Sequence, residues 1–323
     1  MRVILSSHYV LFIFFKHSGP FVSGDAGCSC AELRVETCRS ERLKADLGLL
    51  FVALVWGATF PVVKVALIYI PPFTFNTFRF FLSSAIFLLY FIRRDSLKFL
   101  RVARASFREG VKIGSVVFLG YSLQTLGLNV TTATNAGFIT SLYVVLTPVV
   151  SWVFYRTGIK GKDIFCTALA LFGMLLLSFT PGISTEVGDI LLLGCAIAFA
   201  AEIAMISHHS RHCNPDALAF WQIASVALFS LPFSFSEGAI FHPTLNCTVI
   251  VSLLITAIFA TVIARILQNR LQRITSPTDA AVIFSMEGVF SHVFSALTLG
   301  EILTPMQYAG ALAIVMAVII SSL

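Results

Sequence analysis

Charge is scarce in this sequence. Asp, Glu, Lys and Arg together make up 12% of the 323 residues, whereas hydrophobic residues make up 57%. A soluble domain carries roughly 25% charged residues, so this chain has too few charges to surround a water-soluble core. Its mean hydropathy of +0.90 indicates that lipid is the main solvent. Ten membrane helices of about 20 residues each would use about 200 residues, which leaves no room for a soluble catalytic domain.

Motifs for metals, cofactors and nucleotides are also missing. The seven cysteines are scattered without a C-x-x-C pair, so neither a zinc site nor a disulfide framework is predicted. The sequence contains no phosphate-binding glycine loop, and its net charge of +6 is too modest to indicate a nucleic-acid partner. We therefore predict no cofactor. His208, His209 and His212 cluster at a predicted helix end, where solvated histidines are favoured over metal ligands.

Ten apolar segments are long enough to cross a bilayer. They do not alternate polar and apolar residues as the strands of a membrane barrel would, so each predicts a helix. The predicted fold class is all-α, a polytopic membrane protein with ten transmembrane helices. The segments are 47–67, 72–92, 111–129, 133–154, 164–180, 188–208, 216–235, 248–270, 278–298 and 304–322.

Basic residues follow the connections in strict alternation. Lys and Arg precede the first segment and occur in every second connection after it, whereas the other five connections contain neither. Arg265, Arg270 and Arg273 are counted with the connection between the eighth and ninth segments. Because Lys and Arg accumulate in cytoplasmic loops, we predict a multi-pass protein of the plasma (bacterial inner) membrane with both termini in the cytoplasm.

The two halves of the chain resemble each other. A shift of 144 residues lays the fourth segment on the ninth and matches Thr131 to Thr275, and a shift of 143 matches Asp46 to Asp189. Because each unit has five helices, the second enters the membrane from the opposite side, and such inverted repeats around a midplane site are typical of secondary transporters. The predicted domains are an N-terminal extension outside the fold (1–45), a first repeat (46–182) and a second repeat (186–323).

Several motifs within 46–323 are typical of one membrane-protein family. They are LVWGATF at 54–60, IPPF at 70–73, LYVVLTP at 142–148, SPTDAA at 276–281 and LGE at 299–301. Together they resemble the EamA group of the drug/metabolite transporter superfamily. The resemblance implies two inverted EamA repeats around a central cavity, and it favours export. One departure is Gly288, which stands where the family commonly has Pro, although Gly can also permit a helix to bend.

Polar and aromatic side chains within the predicted spans are the candidate site. An ionisable residue at membrane depth costs about 2.5–3.5 kcal/mol. Arg79 could hold a substrate carboxylate or make a structural ion pair, and Glu287 could couple transport to a proton or hydrogen-bond two helices. The lower-ranked Lys64 and Glu202 could instead reach the interface. The substrate-cavity candidates are Trp56, Asn76, Arg79, Tyr121, Gln124, Asn135, Trp221 and Glu287.

Transport fits these features better than catalysis. We predict a secondary transporter, not an enzyme, that moves a small organic metabolite, such as an amino acid, by alternating access. Its partners would be the metabolite, the lipid bilayer and a coupling proton or counter-substrate, and it would act as a monomer or homodimer. One alternative is an organellar-type antiporter of phosphorylated or nucleotide-linked metabolites, with Lys64 and Arg79 binding the anion. Another is an intramembrane enzyme or scaffold.

Overall fold

The computed structural model describes residues 30–177, 187–300 and 304–322, and these residues form helices and short turns without any strand. The all-α prediction is thereby confirmed. Residues 1–29 of the predicted extension and Glu301 of the LGE motif lie outside the described residues. The helices are Cys30–Ala66, Pro72–Val130, Ala133–Thr140, Tyr143–Tyr155, Gly161–Leu177, Val187–His209, Pro215–Glu237, Cys247–Ile255, Thr256–Ile263, Ala264–Leu271, Pro277–Phe284, Met286–Leu299 and Pro305–Ser322.

The described helices contain nine segments that are long and apolar enough to cross a membrane. A tenth apolar helix has 17 residues, which is still within the range that can span a bilayer. The chain is therefore a multi-pass membrane protein. In chain order, spans one to ten are Ser40–Ala66, Pro72–Arg93, Phe99–Val130, Ala133–Tyr155, Gly161–Leu177, Val187–His209, Pro215–Glu237, Cys247–Leu271, Pro277–Leu299 and Pro305–Ser322.

Spans two and three form an antiparallel pair although their backbone is helical throughout. The rings of Phe87 and Phe99 have centroids 6.3 Å apart, whereas twelve residues of straight helix would separate them by about 18 Å. Near the other end of the pair, Asn76 Nδ2 donates a hydrogen bond of 3.0 Å to Thr125 Oγ1. The chain therefore reverses direction between the two spans.

The helix that carries the third span extends beyond its apolar segment. The helix that contains the predicted segment 111–129 begins earlier, because the helical backbone already covers Phe99. Arg101, Arg104 and Arg108, which were expected in a loop, lie on this helix. Arg is a good helix former, and its long side chain can carry the charge away from an apolar helix axis. Basic residues therefore did not mark the end of the helix here.

The fourth and ninth spans are each broken at a serine. The fourth is interrupted after Thr140 and the ninth after Phe284, so Ser141 and Ser285 occupy the breaks and match each other under the shift of 144 residues. Each hydroxyl donates to a backbone carbonyl three or four residues earlier, a bond that often bends helices. The ninth helix is therefore interrupted at Ser285 without a proline after Glu287.

Small residues bring the first, fourth and ninth spans into close contact. A Cβ atom added to Gly57 would lie 2.5 Å from Phe290 Cβ and 2.7 Å from the carbonyl oxygen of Glu287. A Cβ atom at Gly137 would lie 2.6 Å from Ser291 Oγ. Without a hydrophobic drive between helices in lipid, such close backbone approach supplies the packing energy. It also holds Glu287 at the centre of the bundle.

The eighth span contains a π-helical stretch at Thr256–Ile263. Thr261 Oγ1 donates to the carbonyl of Thr256, five residues earlier, at 2.9 Å, and Trp56 Nε1 donates to the carbonyl of Ala260 at 3.0 Å. Wide helical turns of this kind occur frequently at functional sites. Here the stretch turns Thr261 towards the second span.

The second span is fixed to the end of the seventh by one carboxylate. Glu237 accepts hydrogen bonds from the backbone nitrogens of Phe73 and Thr74 at 2.9 and 2.7 Å, and from Thr74 Oγ1 at 2.7 Å. These nitrogens belong to the first turn of the helix, whose N–H groups have no partner within the helix. An acidic side chain from the second repeat therefore caps a helix of the first.

Candidate functional site

A narrow cavity lies where spans from both repeats meet. Its volume of about 40 Å³ leaves room for a few water molecules but not for a metabolite. Spans one to four, six, eight and nine all contribute side chains to its lining. The lining residues are Trp56, Thr59, Phe60, Val63, Arg79, Tyr121, Gln124, Thr125, Leu128, Tyr143, Phe199, Glu202, Ile203, Arg265, Gln268 and Glu287.

Arg79 presents a buried positive charge to this cavity. Its side chain is 4% exposed, and its Nε donates to Thr261 Oγ1 at 2.9 Å. The guanidinium carbon lies 4.9 Å from the ring centre of Tyr121 and 5.1 Å from that of Phe80. Within the described parts of the chain, no carboxylate lies within ion-pair distance of Arg79. Its charge is therefore stabilised by a hydroxyl and two aromatic rings, and it remains available for an anion.

Arg265 is a second buried cation, although the charge pattern grouped it with the connection that follows the eighth segment. It lies within the eighth span at 1% exposure. Nη1 donates to the carboxylate of Glu202 in the sixth span and to Gln268 Oε1 at 2.9 Å. Because the eighth helix continues to Leu271, Arg265 stands six residues, or about 9 Å, inside its end. A charge at that depth requires a partner, which Glu202 supplies.

Aromatic rings surround both guanidinium groups. The guanidinium carbon of Arg265 lies 5.2 Å from the ring centre of Tyr121 and 5.4 Å from that of Trp56. Tyr121 therefore contacts both Arg79 and Arg265. An aromatic face within about 6 Å of a cation attracts it. The rings allow two like charges to share one small cavity.

Glu287 lines the cavity from the ninth span. It is 3% exposed, and its carboxyl group is close to the hydroxyl of Tyr143. Neither Glu287 Oε1 nor that hydroxyl makes a hydrogen bond of normal length and angle with a described atom. Buried polar atoms are rarely left in this state. The carboxyl group can therefore take up a proton, a water molecule or a polar group of a ligand.

The cavity brings together a large part of the sequence-predicted site. Trp56, Arg79, Tyr121, Gln124, Glu202 and Glu287 line it. Sequence reasoning missed Tyr143, Arg265 and Gln268, which line it as well, and Thr261, which orients Arg79. An available signal was the presence of opposite charges, Glu202 and Arg265, within the predicted sixth and eighth segments.

The other four candidates lie outside the cavity lining. Asn76 donates to a threonine of the third span, and Asn135 donates to Asp189 at 2.7 Å. Trp221 Nε1 donates to a backbone carbonyl of the third span at 2.8 Å. Lys64 Nζ donates to two backbone carbonyls at the end of that span, at 2.8 and 3.0 Å. These contacts hold helices together.

The three histidines at the end of the sixth span lie near aromatic and acidic groups. His208 stacks on Tyr155 with ring centres 4.4 Å apart, and His209 Nδ1 lies 3.6 Å from Glu109 Oε2. No group of three potential metal ligands occurs among the residues that the structure describes.

Comparison with known proteins agrees with this architecture. The EamA-like transporter family model matches residues 43–179 and 186–323. An uncharacterised transporter of Archaeoglobus fulgidus is 52% identical over 88% of this chain and 87% of its own length. A probable amino-acid metabolite efflux pump of Salmonella typhimurium is 26% identical over 82% of this chain and 90% of its own. One crystal structure with 15% identity has a TM-score of 0.68 and covers 86% of this chain and 96% of its own, which supports the fold alone. On the two family matches and the 52% identical relative, the chain belongs to the EamA-like transporter family.

Proposed function

We propose that this protein is a secondary transporter that exports a small organic metabolite, such as an amino acid or a related compound, by alternating access. The observation that carries the proposal is the buried cation Arg79, which faces the central cavity without a carboxylate partner among the described side chains. The charge of Arg265 is balanced by Glu202. Arg79 is therefore the group that would hold the carboxylate of the substrate, because its planar fork matches a carboxylate in a bidentate manner.

The remaining walls fit the rest of such a substrate. Trp56 and Tyr121 offer aromatic surface, and Glu287 offers a carboxyl group for an amine or a coupling proton. A cavity of about 40 Å³ must widen before a metabolite can enter. Inverted repeats that rock around a fixed midplane site supply such a change.

Direction and membrane are part of the same proposal. The Salmonella typhimurium relative is described as a probable amino-acid metabolite efflux pump, which supports export. The alternation of basic connections supports a plasma membrane location with both termini in the cytoplasm.

The test is counterflow in liposomes that contain the purified protein. The panel would include labelled amino acids, dicarboxylates, sugar phosphates and nucleotide sugars. We expect an amino acid or a related carboxylate to be exchanged, and we expect Arg79→Gln to abolish the exchange while Arg79→Lys retains part of it. Arg211→Gln, which changes an exposed arginine between the sixth and seventh spans, is the matched control.

Each contrary result identifies a different error. Full exchange by Arg79→Gln would remove Arg79 from the site, and exchange of phosphorylated compounds alone would favour the antiporter alternative. Chemical conversion of a substrate would indicate an enzyme.

Proton coupling is tested separately at Glu287. If this carboxyl group takes up the coupling proton, Glu287→Gln keeps exchange of substrate but loses the dependence of net transport on a pH gradient. Glu109→Gln, a change outside the cavity lining, serves as the control. A pH dependence identical to that of the unmodified protein would exclude the role.

A further inference from the structure

Two polar clusters connect the repeats at opposite faces of the bundle. At one face, Asn135 Nδ2 donates to Asp189 Oδ1 at 2.7 Å and to Thr131 Oγ1 at 3.0 Å. At the other face, Asp46 Oδ1 accepts from Thr275 Oγ1 at 3.3 Å. The faces are opposite because the fourth and sixth spans begin on one side of the bundle, whereas the first and ninth begin on the other.

The clusters are copies of each other by sequence position. The shift of 144 residues that relates Thr131 to Thr275 also relates Asn135 to Asp279, and the shift of 143 residues relates Asp46 to Asp189. In each cluster, an aspartate from the first span of one repeat meets the start of the fourth span of the other repeat. The same three positions therefore join the repeats twice, once at each face.

The copies differ in charge at one position. Asn135 is an amide and can donate directly to Asp189, whereas an ionised Asp279 has no proton to donate to Asp46. Arg42 stands at this face instead: its Nη2 lies 2.8 Å from Asp279 Oδ2, and its Nε lies 3.9 Å from Asp46 Oδ2. Ser321 Oγ at the end of the tenth span donates to Asp279 Oδ1 at 2.7 Å. One cluster is held by an amide and the other by an arginine between two acids.

We infer that these clusters are the two latches of the transport cycle. The amide latch consists of Asn135 and Asp189, and the ionic latch consists of Asp46, Asp279 and Arg42. Each latch must separate when its face of the bundle opens. The inference rests on the proposed alternating access. Both latches are closed in this structure, which agrees with a cavity too small for a metabolite. Because two carboxylates repel each other without a cation between them, Arg42 is the residue that keeps the ionic latch shut.

The latches can be tested by the reactivity of a cysteine in the cavity. Gln124→Cys provides the reporter, and a membrane-impermeant thiol reagent is added to one side of sealed vesicles at a time. The same chain without Gln124→Cys gives the background from native cysteines. Asn135→Asp places two acids at the amide latch without an arginine, so we expect labelling to rise several-fold from that face alone. Arg42→Gln should raise labelling several-fold from the opposite face alone.

A compensating variant separates the latch from a general loosening of the fold. Asp279→Asn turns the ionic latch into a copy of the amide latch, which needs no arginine. We therefore expect Arg42→Gln with Asp279→Asn to label at the slow rate of the parent, whereas Arg156→Gln, a change of an exposed arginine after the fourth span, leaves labelling unchanged throughout. Equal increases from both faces, no increase, or no recovery in the double variant would overturn the inference.

The labelling assay uses no substrate, so it can fail independently of the proposed function. Labelling as expected without transport of any metabolite in the panel supports the latches and refutes the proposed substrate class. Transport by a protein whose labelling does not respond to either latch variant refutes the latches and leaves the proposed function standing.

Discussion

The buried pair of Arg265 and Glu202 makes a sharp stability prediction. The two residues are 1% and 2% exposed, so removing one charge leaves the other buried without its partner. Removal of one partner of a buried pair costs about 3–5 kcal/mol. Glu202→Gln should therefore lower the folded-to-unfolded ratio by a factor of about 10²–10⁴, since each 1.4 kcal/mol corresponds to about tenfold.

The double variant Glu202→Gln with Arg265→Gln measures the coupling between the two charges. It removes both charges and leaves two amides beside Gln268, which already hydrogen-bonds both side chains. Groups in one such network show coupling of about 0.5–3 kcal/mol, so the double variant should cost less than the sum of the two single variants by an amount in that range.

The assay is SDS-induced unfolding in mixed micelles, followed by tryptophan fluorescence. Asp216→Asn is the matched control, because Arg270 holds Asp216 at 2.6 and 2.7 Å in a part-exposed pair, and an exposed pair contributes about 0.2–1 kcal/mol. A cost of under about 1 kcal/mol for Glu202→Gln, together with simple additivity in the double variant, would refute the reasoning. That result would mean that the pair is hydrated and that the cavity is open to water.

Three further outcomes are expected. Gly57→Ala forces a methyl group against the ninth span and should destabilise the protein by about 1–3 kcal/mol in the same assay. Gly158 has open space around it, so Gly158→Ala should have no effect. Equal stability of the two variants would contradict the close packing of the first and ninth spans. Glu237→Gln weakens the cap of the second span and should lower the free energy of unfolding by about 0.5–2 kcal/mol. Ser236→Ala is the neutral comparison. A loss of stability no greater than that of Ser236→Ala would disprove the cap. A reporter fused after Leu323 should be active only in the cytoplasm, and activity on the opposite side would reverse the topology.

The spans and the duplication could be predicted from the sequence, because the bilayer directly restricts which residues a span can contain. A helix that crosses a bilayer must be apolar over about 20 residues, and these residues are consecutive in the chain. The equivalence of Ser141 and Ser285 was visible as a residue match, and the structure turned the match into two helix breaks. The helical conformation of residues 99–110 could not be predicted, because a basic residue on a helix and one in a loop look alike in sequence.

The composition of the site depended on tertiary structure. Arg79 and Glu287 were found because a charge within an apolar run is conspicuous, but Arg265 lay near a predicted span end, where charges are common. Its burial is decided by Glu202, 63 residues away, just as the orientation of Arg79 is decided by Thr261, 182 residues away. The sequence by itself determined the helices, their duplication and the charges that lipid must accommodate. Only the packed bundle decided that Arg265 is paired and that Arg79 faces the cavity without a carboxylate partner in the described part of the chain. Pairing requires contact within about 4 Å, and the order of the helices along the chain does not specify which helices are neighbours in space.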